Sequence, residues 1–136
     1  MPNWVAKKSP YPVPETLDRL ERSLIERGCT VMARVDHSGH AAKAGLELRP
    51  TQVLLFGKPS LGTQLMQAEQ TLAIDLPSKV LGWQDASGQV WLGYRDLRAI
   101  AAQHAALDQA HAAVTELAEM IDQVTDGAVS LPGTGA

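Results

Sequence analysis

Apolar residues along this chain recur at two spacings, and the switches between them outline its elements. Trp4 to Lys8 fits a short first strand, after which Pro10, Pro12 and Pro14 hold an extended connection. Pro14 suits the first turn of a helix and Glu15 its positive end. Leu17, Leu20, Leu24 and Ile25 follow a 3.6-residue period and predict one buried stripe. Gly28 stands where a left-handed residue commonly ends a helix. The run CTVMARV then alternates as a strand does.

Ser38 can cap a short helix, GHAAKA, that Gly45 ends. Arg49-Pro50 forces an extended approach to QVLLF, a continuous apolar run suited to a strand buried on both faces. After a loop over 57–63, TQLMQAEQ reads as helical, with Thr63 as its cap. SKVLGWQD and QVWLGY, separated by Ala-Ser-Gly, make the clearest hairpin, in which Trp83 and Trp91 become cross-strand neighbours. Asp96 caps LRAIAAQH, and a last helix spans 107–124 with Leu107, Ala110, Val114, Leu117, Ile121 and Val124 on one face. That stripe can pack on its own sheet or on a partner. Residues 125–136 show no periodicity and read as a disordered tail behind a single domain over 1–124.

The hairpin breaks the strict alternation that a doubly wound parallel sheet needs. The order predicts an α+β fold: a two-layer sandwich with a mainly antiparallel sheet and helices on one face. At 136 residues the chain supports one real core. No apolar run reaches the roughly 20 residues of a membrane span, and no signal-peptide core is visible near the first residues. Cys29 is the sole cysteine, so no internal disulfide is expected and a cytoplasmic setting is the simplest. Residues 1–95 carry eleven Lys/Arg against nine Asp/Glu, whereas 96–136 carry one against six. Neither part offers the basic surface that nucleic acid requires, so neither nucleic acid nor membrane is expected as a partner.

The candidate chemistry lies between residues 35 and 66. Asp36 and His37 are adjacent at a strand end, so regular geometry points them to opposite faces and they cannot orient one another. One reading has them line a cleft, with His37 exchanging protons near neutral pH. The other has Asp36 cap the following helix. His37 and His40 are spaced for chelation, but spacing indicates no complete ligand set, so no metal or other cofactor is expected. GKPSLGT has glycines five apart as in a phosphate loop, yet Thr63 stands where the phosphate-binding lysine belongs. Either its amides and hydroxyls hold an anion at a helix start, or Gly57, Pro59 and Gly62 simply make a tight turn.

The segments VDH, AAKAGLELRPTQVLLFGKPSLGTQLM, DLPSKVLGW and GQVWLGYRDL together resemble the family called domain of unknown function 302. The resemblance implies a fold similar to one repeat of the TATA-box-binding protein and a homodimer of bacterial or archaeal type. It implies no assigned activity. It marks Asp36, His37, Gly45, Leu48, Pro50, Phe56, Gly57, Pro59, Gly62, Thr63 and Pro77, while Lys58 stands where the family commonly has Asn.

These readings converge on a dimeric module that holds a small anionic or carboxylated ligand between the 36–40 turn and the 57–63 loop. Asp36, His37, Arg49, Gly57, Lys58, Ser60, Gly62 and Thr63 are the candidate ligand contacts, with Arg34, Arg49 and Lys58 offsetting charge. The competing reading is an enzyme with His37, beside Asp36, as general acid or base at a subunit interface.

Overall fold

The computed structural model describes residues 3–132. In chain order it contains β1 (Trp4–Ser9), α1 (Val13–Glu26), β2 (Thr30–Asp36), α2 (His37–Lys43), β3 (Thr51–Gly57) and α3 (Pro59–Ala68). A 3₁₀ segment (Gln70–Asp75) leads to β4 (Ser78–Gln84), β5 (Val90–Arg95) and α4 (Leu97–Ala101). A second 3₁₀ segment (Ala105–Ala110) then runs into α5 (His111–Ala128). The five strands form one antiparallel sheet in the order β1-β5-β4-β3-β2. The fold class is thus the expected α+β.

One sheet face carries the core. Leu54 and Phe56 of β3, Val80 of β4 and Leu92 of β5 are fully buried against Leu17, Leu20 and Leu24 of α1 and the apolar side of α5. Strand alternation sends Val53, Leu55, Leu81 and Trp83 to the other face, where they are only half-buried. The expectation that QVLLF is covered on both sides is therefore corrected: only alternate residues meet helices. The α1 stripe is as predicted except for Ile25, which is 58% exposed because it sits one position beyond the buried Leu24.

The 107–124 stripe packs within its own chain, against α1, α3, α4 and the β1 edge of the sheet: Leu107, Val114, Leu117, Ile121 and Val124 are all buried in the core, and Ala110 is half-buried. The last helix also runs past 124. Thr125 and Ala128 are buried, and Lys7 of β1 donates to Thr125 Oγ1 at 2.8 Å and pairs with Asp126 at 2.7 Å. Arg19 of α1 donates to the carbonyls of Ala128 and Ser130 and lies over the Tyr11 ring. These contacts between distant segments hold 125–130, and no local periodicity announces them. The expectation of a disordered tail over 125–136 is thus corrected for 125–130, and 133–136 lie outside the described residues.

The 57–63 segment is corrected as well. Helix α3 starts at Pro59, so β3 is joined to it by Lys58 alone, and Ser60, Gly62 and Thr63 are helical. Proline presets the backbone angle of a first helical turn, where its missing N–H goes unneeded, and it keeps Lys58 extended. Gly62 has open space where a Cβ would point and no left-handed backbone. Gly62→Ala is therefore expected to stabilise the protein by about 0.5–1 kcal/mol, the usual helix-interior difference. A lower melting temperature for this variant would restore the strained-turn reading.

Candidate functional site

Helix α2 is entered through Asp36, whose carboxylate accepts from Gly39 N–H at 3.0 Å and from Ser38 Oγ at 2.7 Å. The Ser38 hydroxyl and the Gly39 amide hold the Asp36 carboxyl below its usual range. The cap is thus Asp36 rather than Ser38, whose hydroxyl also accepts from Thr51 N–H at 3.3 Å and ties α2 to β3. With Asp36 turned to the backbone, His37 is left at the rim of a cleft.

That cleft, about 540 Å³, lies where the sheet forks. Strand β1 pairs with β5 out to Arg95, and β3 pairs with β4 out to Ser78, but the β4–β5 ladder ends at Leu81↔Gly93. Leu72, Ile100 and Ile121 from the helical layer form part of the cleft wall, and Trp4, Val53 and Leu81 another. The charged groups lining it are Lys79, Arg95 and Asp75. Lys79 and Arg95 each lie two residues beyond the Leu81↔Gly93 pair, on the same face, so the two cations stand across the fork from one another.

The hairpin braces the closed end of the fork. Asp85 accepts from Trp91 Nε1 at 2.8 Å and from Ser87 Oγ at 2.7 Å, contacts that hold its carboxyl down at about 2. Trp83 and Trp91 pair across the strands as expected, their rings stacked with centroids 6.3 Å apart, and Trp4 packs on Trp83 at 5.8 Å. Gly93 makes room for this array, because a Cβ there would overlap the rings of Trp4 and Trp83. On the core side Tyr94 hydrogen-bonds Asp122, which Arg98 also holds at 2.8 Å. Burial, and then the Asp122 carboxylate, push the Tyr94 hydroxyl well above its ordinary value.

The structure disperses the candidates. His37 lines the cleft, while Gly57, Lys58, Gly62 and Thr63 line a second, mainly apolar pocket of about 300 Å³ beside Met32, Met66 and Leu117. Leu76 and Ser78, on either side of the cis Leu76–Pro77 bond, line both. Asp36, Arg49 and Ser60 line neither: Arg49 Nε donates to the Gln84 carbonyl at 3.2 Å, and the Ser60 carbonyl accepts from Gln64 Nε2. Arg34 is engaged with Asp18 at 2.6 Å and with Gln52. Sequence reasoning missed Lys79 and Arg95. Cys29 is buried beside Met120 Sδ, and burial pushes its thiol up against the opposing pull of Lys58 and Arg27, so it is poorly suited to act as a nucleophile.

With this geometry in hand, the chain can be set beside known proteins. It is 42% identical over 100 residues to the fluoride-specific ion channel FluC 1 of Brucella suis biovar 1 (strain 1330), covering 74% of this chain and 39% of that protein. The match to FluC 1 of Brucella abortus biovar 1 (strain 9-941) has the same identity and covers 37% of that protein. The chain thus spans about two-fifths of the length of these curated relatives. Among its described residues, no helix is long and apolar enough to cross a membrane. The crystal structure of an uncharacterised conserved protein DUF302 from Bacillus stearothermophilus superposes with a TM-score of 0.82 at 16% identity, covering 96% of this chain and 100% of that one. The model of the family described as Domain of unknown function DUF302 matches residues 5–126, and the chain belongs to that family.

Proposed function

We propose that this domain is a cytoplasmic, homodimeric binding module for a small organic carboxylate or comparable anion, held in the forked cleft. The observation that carries the reading is the placement of Lys79 and Arg95 across the fork, above an apolar wall of Trp4, Val53 and Leu81. Like charges facing each other across strands are destabilising on their own, and an anion between them removes the repulsion. The cleft volume of about 540 Å³ lies within the range of small-molecule sites and far exceeds a single halide ion. Of the residues read from sequence, His37 is the one retained at this site.

The relatives give the module a context. In them a segment like this chain makes up 37–39% of a protein named as a fluoride channel, and the conducting part would lie in the remainder. A soluble attachment that binds a metabolite and passes its occupancy to a channel fits that arrangement. In the competing reading, as an enzyme, His37 at the cleft rim would move a proton. Binding is preferred because, among the described residues, no hydroxyl or thiol is hydrogen-bonded to His37.

The test is a thermal-shift panel of small carboxylates, phosphates and halides on the parent and on the Lys79→Ala/Arg95→Ala double variant. A ligand at about 100 times its dissociation constant adds about 2.7 kcal/mol, a clear rise in melting temperature. The rise is expected for an organic carboxylate, absent for fluoride, and lost in the double variant, whose unliganded stability is unchanged or slightly higher. No shift with any carboxylate, or one that survives in the double variant, would remove this reading.

A further inference from the structure

Among the described residues, two apolar surfaces are left largely uncovered, and they differ in shape. One is flat: Val35, Val53, Leu55 and Leu81 lie on the sheet face that no helix covers, each only half-buried. The other projects: α2 has no buried residue, and after it Leu46 and Leu48 are 67% and 49% exposed.

The projecting arm, residues 37–50, is nevertheless firmly shaped. Asp36 caps its start. Gly45, at φ 76°, ends α2 with Gly45 N–H donating to the Ala42 carbonyl at 3.0 Å and Leu46 N–H to Ala41 at 2.9 Å. Arg49 pins its far end to the Gln84 carbonyl at 3.2 Å. Apart from these hydrogen bonds, a segment with no buried residue in its helix offsets little of its conformational entropy within its own chain.

We propose that the arm is the clasp of the homodimer: Leu46 and Leu48 of each copy lie on the open sheet face of the other, and so roof the cleft. Area argues for a second copy as the occupant. Five strands about 4.8 Å apart, each about 20 Å long, present a face on the order of 500 Å². A stable interface needs roughly 800 Å² per partner, so the face alone falls short and the arm supplies the difference. Two-fold symmetry lets both copies cover both surfaces at once. His37 begins the arm and lines the cleft, so clasping and ligand capture share one structural element.

This inference rests on the reading that the domain pairs, and its test separates the two. Light scattering across a dilution series is applied to the parent and to Leu46→Asp/Leu48→Asp, with circular dichroism confirming that both are folded. The parent is expected at twice the chain mass, and the variant's dissociation constant is expected to rise by on the order of 100-fold or more from loss of two buried leucines. In parallel, a tagged Leu48→Cys chain is equilibrated with an untagged Leu55→Cys chain and treated with a short bismaleimide. The mixed pair is expected to cross-link well above a control mixture with Ile25→Cys, on the outer side of α1. A folded parent of one-chain mass at every concentration overturns the pairing itself. A parent that pairs while the double variant pairs equally well, or cross-linking no greater than the control, overturns the arm as its clasp.

Discussion

Leu17→Ala is expected to lower the unfolding free energy by about 2–5 kcal/mol, and Gly82→Val by about 1–3 kcal/mol, but together the two should cost clearly less than their sum. Leu17 of α1 is fully buried, and its Cδ2 fills the space where a Cβ on Gly82 would stand, with Leu92 Cδ2 3.6 Å from that same point. Helix α1 thus reaches the sheet because β4 has no side chain at this position. Truncating Leu17 opens a cavity, and a side chain at 82 in the parent overpacks the same volume. In the Leu17→Ala background the added valine meets vacated space and restores part of the loss. Denaturant unfolding of the two single variants and the double variant measures the coupling. Strictly additive costs would mean that Leu17 and Gly82 do not share this volume.

That contact also shows where the sequence was readable. The period placing Leu17 on a buried stripe is local, and the buried face of α1 follows it. Gly82, by contrast, reads as a weak spot in a strand until the helix above it is known. The same division explains the two boundary corrections. Pro59 holds the start signal for α3, but the glycines on either side of it suggest a turn, and the helix prevails because Gly62 needs no special backbone angle. The end of α5 depends on Lys7 and Arg19, more than a hundred residues away along the chain, which no periodicity can reveal.

The cleft was half legible. His37 was found because a histidine beside a capping residue at a strand end is conspicuous. Lys79 and Arg95 were not, although the signal was present in the hairpin. The register that sets Trp83 opposite Trp91 also sets Leu81 opposite Gly93, and counting two residues further out along each strand reaches Lys79 and Arg95, beyond the last pair of the ladder. Two cations at matching distances from a hairpin turn are a readable pattern once the register is counted. The fork itself is not readable in this way, since the end of β5 stays paired with β1 and the end of β4 with β3 after their own ladder stops. The acidic balance of residues 96–136 likewise has a local use: Asp122 and Asp126 meet Lys7, Tyr94 and Arg98 at the sheet edge.

Leu117→Asp is expected to unfold the protein at neutral pH rather than to separate a folded pair. Leu117 is 2% exposed, within a helical face buried in the core of its own chain. A carboxylate there is charged, buried and unpaired, which belongs among the substitutions that cost more than about 4 kcal/mol. The pH dependence provides a second check. Burial raises the folded-state pKa of the new carboxyl above its unfolded value near 4, so the neutral form is favoured in the folded chain. The penalty relative to the parent is therefore smallest below about pH 4 and grows as pH rises through the raised folded-state value. Comparing variant with parent at each pH is essential, because the parent's own depressed carboxyls, Asp36, Asp85 and Asp122, lose their contributions on acidification. Chemical denaturation at several pH values measures the difference. A Leu117→Asp chain that is folded at neutral pH, with the parent's circular dichroism but half its mass, would move the interface onto α5 and displace the arm.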